Sequence, residues 1–171
     1  MNDIFEISKD EFQSIINVKI DTVLEGFNNF ESITLNIDSA LSTCEKETLI
    51  FNFVESLYLK SDTYIDFYLN TLSIEEYTSL LNKLSEEDKF ILAALKEENY
   101  TSIYFKVSSI ELLKFFVRLS TRELFFVTLY FKDIDITVWS NYNFNFLIFY
   151  STPSSLDLLK SICNTNCTSY Y

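Results

Sequence analysis

The segment ELFFVTLYFKDIDITVWSNYNFNFLIFYS, residues 123 to 151, decides the fold, because its hydrophobic pattern turns from helical spacing to alternation. From Leu124 to Phe131 the odd-numbered side chains Phe125, Val127, Leu129 and Phe131 fall on one side of a strand, and Phe126, Thr128 and Tyr130 on the other. Lys132-Asp133 interrupts the run. Ile134, Ile136 and Val138 resume it, Ser140-Asn141-Tyr142-Asn143 breaks it again, and Phe144, Phe146, Ile148 and Tyr150 complete it. β-Branched and aromatic runs separated by short polar gaps predict a three-stranded antiparallel meander.

Upstream of it, residues 99 to 107 alternate through Ile103, Phe105 and Val107, and Ser108-Ser109-Ile110-Glu111 has the spacing of a capping box. Its helix carries Leu112, Leu113, Phe116, Val117 and Leu119 inward. After the meander, Thr152-Pro153 starts a last helix through Leu156, Leu158, Leu159 and Ile162. The last 71 residues therefore read β-α-β-β-β-α, an antiparallel sheet covered on one face by helices.

The first part of the chain reads as mostly helical. Ser8-Lys9-Asp10-Glu11 opens a predicted helix over 9–25 that Gly26 would end in a left-handed conformation. Ile33, Leu35 and Ile37 suggest a brief strand, and a helix is predicted over 43–59. Residues 62–72 suit a short helix and a strand almost equally. Ser73 to Glu76 and Ser85 to Asp88 are further capping boxes, whose helices present Tyr77, Leu80, Leu81 and Leu84, then Phe90, Ile91, Ala94 and Leu95. Carboxylates in those first turns complement the helix dipole, which accounts for Glu75, Glu76, Glu86, Glu87 and Asp88. The expected fold is α+β in a single domain over 1–171, with an acidic helical lobe (1–99) and a sheet-bearing lobe (100–171) sharing one core.

Composition narrows function mainly by exclusion. One glycine leaves no glycine-rich phosphate loop and no dinucleotide fingerprint, and the absence of histidine removes Ser-His-Asp and Cys-His catalysis. The uncharged window 136–156 is long enough to cross a bilayer, but Ser140, three asparagines and Pro153 exclude it. The N-terminus shows neither a basic nor an apolar signal region, so the expected location is cytoplasmic. Cys44 stands alone, and Cys163 and Cys167 lack a histidine with which to form a zinc site, so neither metal nor cofactor is expected. Asp133 and Asp135 read as a solvated loop, and Arg118 and Arg122 as partners for local acids.

The charge of −12 is uneven: residues 1–100 hold 20 acids against 7 lysines, and residues 101–171 hold 5 acids against 6 bases. Such a field repels nucleic acid and anionic membrane and attracts basic proteins. No motif carries a resemblance to a known family. The leading expectation is a non-catalytic binding module of the immunity-protein or antitoxin kind, capturing a basic nuclease-like toxin through Glu45, Glu55, Glu97 and Glu98. The alternatives are a phage or structural oligomer subunit and an enzyme working through carboxylates or a metal.

Overall fold

The computed structural model describes residues 4–98, 100–165 and 169–170. The meander forms, with β5 at Thr128–Phe131, β6 at Ile136–Trp139 and β7 at Leu147–Tyr150. It sits inside a larger antiparallel sheet whose other strands are β1 (Ile4–Ile7), β2 (Glu31–Asn36), β3 (Thr63–Asp66), β4 (Tyr104–Val107) and β8 (Ser169–Tyr170). The order across the sheet is β1-β4-β3-β5-β6-β7-β2-β8, so strands from both sides of residue 100 interleave in one sheet. Of the predicted strand over 99–107 only Tyr104–Val107 pairs, and Asn99 lies outside the described residues.

The ambiguous segment at 62–72 resolves into β3 and a 3-10 turn at Leu69–Thr71. All four residues of β3 are buried, because β4 and β5 flank it on both edges and each of its faces is covered. Neighbouring strands supply backbone partners for the whole segment, and tertiary pairing overrides a local preference that was nearly neutral.

Most helices pack on one face of the sheet. These are α3 (Thr43–Tyr58), α4 (Ile74–Lys83), α5 (Glu86–Glu97), α6 (Ile110–Thr121) and α7 (Pro153–Thr165). Phe53, Leu57, Leu92, Phe116 and Leu159 meet Ile65, Leu129, Val138 and Ile148 in the main core. In α5 the buried face is Asp88, Leu92 and Leu95, while Phe90 points outward at 74% exposure, so the helix is rotated from the predicted stripe. The rotation aims Asp88 at Arg118 on α6, an ion pair that a stripe drawn from hydrophobic residues alone omits. Ser42 and Ser73 close complete capping boxes with Glu45 and Glu76. The box predicted from Ser108 to Glu111 does not form: the N-cap is Ser109, one residue later, and it makes no side-chain cap.

The second face is covered too, and the N-terminal segment covers it. The predicted helix 9–25 breaks into α1 (Lys9–Ile15) and α2 (Val23–Asn29), joined by a non-helical strap over 16–22. Two sheet hydroxyls hold the strap: Thr137 Oγ1 donates to the Val18 carbonyl, and Tyr130 Oη lies 3.3 Å from the Ile20 carbonyl. Burial of Val18 and Ile20 beside Phe149 favours this path over continuation of the helix. Thr22 caps α2 by accepting from the Glu25 amide, and Glu25 in turn accepts from the Asp21 amide. Gly26 lies inside α2 with ordinary backbone angles, not at a left-handed terminus. A Cβ there would stand 2.6 Å from the Phe149 ring, so glycine lets helix and sheet approach. Among the described residues no helix is long and apolar enough to cross a membrane.

Candidate functional site

On the second face one row of cross-strand neighbours runs Ile7, Tyr104, Asp66, Thr128, Trp139 and Leu147 through β1, β4, β3, β5, β6 and β7. A carboxylate in the middle of such a row must find donors. Asp66 Oδ1 accepts from the Thr128 amide at 2.7 Å, and Oδ2 lies 3.2 Å from the Tyr130 hydroxyl. Tyr130 Oη carries one hydrogen and faces both Asp66 and the Ile20 carbonyl, so it donates to one of them at a time. Burial dominates over these bonds and pushes the Asp66 carboxyl up to about 6.

Asp66 lines an open pocket of about 250 Å³ at this end of the sheet. Trp139, Phe126, Tyr142 and Tyr68 supply its aromatic wall, and Asp21 reaches it from the strap. Phe126 and Tyr142 meet edge to face with centroids 4.8 Å apart. The loops that carry them are tied by the Asn143 amide, which donates to Glu123 Oε1 at 2.7 Å. Asn143 and Phe144 both have positive φ, which turns this loop tightly enough to bring Tyr142 back over Phe126. Partial burial, then the charges of Asp66, Tyr104 and Asp21, push the Tyr68 phenol up to about 12. Among the described residues no lysine or arginine lines the pocket.

The predicted partner-binding carboxylates sit elsewhere. Glu45 is exposed at the start of α3, where its carboxylate accepts from the Ser42 amide at 2.8 Å, so it is a capping residue as well as a surface charge. Glu55 is half-buried further along the same helix, and Glu97 and Glu98 are exposed at the end of α5. The two arginines do bind acids, though distant ones in sequence. Arg118 Nε lies 3.1 and 3.2 Å from the two oxygens of Asp88, which is buried and therefore does more than complement a helix dipole. Arg122 grips Glu47 through two bonds of 2.9 and 2.8 Å, and Thr121 adds a third at 3.0 Å. Burial raises the Glu47 carboxyl, but those bonds and the arginine charges hold it below the usual range.

Asp133 accepts from the Asp62 amide at 2.8 Å and Asp135 from Asn17 Nδ2 at 2.9 Å, so both fasten loops. Among the described residues no three His, Cys, Asp or Glu side chains converge where a metal ion could sit. Cys44 is exposed and Cys163 buried, and Cys167 lies outside the described residues.

The sequence signals for the pocket were an aspartate directly after Tyr64-Ile65 and an aromatic within the polar gap at 140–143. Neither stands out while 62–72 can be helix or strand. Comparison with protein-family models, with curated proteins and with solved structures finds no match to this chain.

Proposed function

We propose that the chain is a non-catalytic binding module that captures a basic protein, in the manner of an immunity protein or antitoxin set against a cationic toxin. The observation that carries this reading is the surplus of surface carboxylate. Residues 1–100 hold 20 acids against 7 lysines, and Glu45, Glu97 and Glu98 are among the exposed carboxylates. A field of this sign accelerates encounter with a cationic partner and weakens with salt. The test is affinity capture with the intact protein in its native organism, then association kinetics at two salt concentrations. Reversing Glu97 and Glu98 together should slow association more than it speeds dissociation. An acidic partner, or an on-rate indifferent to both salt and reversal, refutes the reading.

A second reading, an enzyme acting through carboxylates, draws on Asp66, whose raised value near 6 suits proton transfer at neutral pH. Turnover of a substrate by the wild type that Asp66→Asn abolishes would favour it over the binding module.

A further inference from the structure

The pocket at the end of β3, β5 and β6 joins features that together specify a class of ligand. Tyr68, Phe126, Trp139 and Tyr142 line it beside the neutral polar Thr128, Ser140 and Asn141, its carboxyl side chains are Asp21 and Asp66, and among the described residues no cationic side chain lines it. Tyr68 and Tyr142 remain 43% and 59% exposed at its mouth, so both rings are open to a ligand. Aromatic faces attract cations through their quadrupole, most strongly Trp, and a desolvated carboxylate supplies the complementary charge and acceptor. An anion would meet two carboxylates, and a neutral apolar ligand would leave Asp66 more deeply desolvated without compensation.

We infer that this pocket binds the head group of an organic cation, an alkylammonium or guanidinium carrying N–H donors, seated against Trp139, Phe126 and Tyr142 with Asp21 and Asp66 as counter-charges. A volume near 250 Å³ accommodates a butylammonium or propylguanidinium group with room for water. The cation comes from a free amine or from a lysine or arginine side chain of a protein. The second source rests on the basic-partner reading above. The first does not.

Trp139 is the only tryptophan in the chain, so its emission and its single indole N–H resonance report this pocket alone. The intact protein is titrated at constant ionic strength with n-butylammonium and propylguanidinium, with 1-butanol and butyrate as neutral and anionic controls. Saturable changes in either signal with the cations and not with the controls are expected. Asp21→Asn, at an exposed site, should weaken binding at least tenfold, and Tyr142→Ala should do so without touching a charge. Absence of saturation in both signals, an equal response to butanol, or binding unaltered by both variants overturns the inference. Nα-acetyl-lysine-N-methylamide binding tenfold tighter than butylammonium assigns the cation to a protein side chain, and equal or weaker binding assigns it to a free amine. Reversal at Glu97 and Glu98 leaves these titrations unchanged, so the pocket and the acidic surface stand or fall separately.

Discussion

Replacing Asp66 by Asn removes a charge that the folded state holds at a cost. The carboxyl rises from an ordinary 3.8 to about 6 in the fold, chiefly because it is buried. Folded protein therefore binds more protons than unfolded protein between about pH 4 and 6. This group's contribution to stability is complete below about pH 4 and lost as pH rises through about 6, a change of about 3 kcal/mol for a shift of roughly two units. Asn keeps the acceptor for the Thr128 amide and offers an N–H to Tyr130 Oη, whose own hydrogen then goes to Ile20. Asp66→Asn should equal the wild type near pH 4 and exceed it by about 2 to 3 kcal/mol at pH 8. Urea unfolding followed by circular dichroism, repeated across that range, measures the difference. Carboxyls held low by hydrogen bonds, such as Glu6 by the Ser102 amide and Glu45 by the Ser42 hydroxyl, respond in the opposite sense but cancel between the two proteins. A difference that stays flat from pH 4 to 8, or a wild type that is the more stable at pH 8, would refute the assignment of the raised value to Asp66.

Three further outcomes follow from packing. Phe146 is 1% exposed and Phe125 only half-buried, so Phe146→Ala should cost about 3 to 5 kcal/mol in chemical denaturation and Phe125→Ala roughly 1 to 2; equal losses would misplace the core edge. Gly26→Ala should lower the melting temperature although alanine favours helix by about 1 kcal/mol, because the buried Phe149 ring has no room to move; a stabilised variant contradicts the close approach. Thr137→Val keeps the shape but leaves the Val18 carbonyl without its hydroxyl donor, at an expected cost of about 1 to 3 kcal/mol at the denaturation midpoint; a neutral result would mean that water replaces it.

Local patterns and the meander were legible because each depends on near neighbours in sequence. Ser42, Ser73 and Ser85 do cap helices, and alternation at 128–131, 136–139 and 147–150 does give strands. The break at Ile16 was hidden because the spacing of Ile15, Ile16, Ile20 and Val23 satisfies a helix, and what rewards the non-helical path, the Phe149 ring and the Tyr130 and Thr137 hydroxyls, lies more than a hundred residues away. Thr22-Val23-Leu24-Glu25 has a capping-box spacing and was the one local sign of a second helix start. Capping also changes the meaning of Glu45, since a residue selected for surface charge is bound to its own helix terminus. The pocket's faint signals could not be assembled from sequence, because Asp21, Asp66, Phe126 and Trp139 become neighbours only once β3 lies beside β5 and the strap crosses them.

The strap also bears on how the protein opens. Two of its carbonyls are held by side-chain hydroxyls and not by a neighbouring strand, so it can lift without breaking any rung of the sheet. Its contacts span 110 and 119 residues, which places its docking after the meander exists and makes it among the first segments to leave. Because it carries Asp21, each such excursion removes one wall of the pocket and wets Asp66 and Tyr130 while the eight-stranded ladder persists. Ligand exchange at this site and hydrogen exchange of the Asp21 amide, bonded to Glu25, would then share one rate.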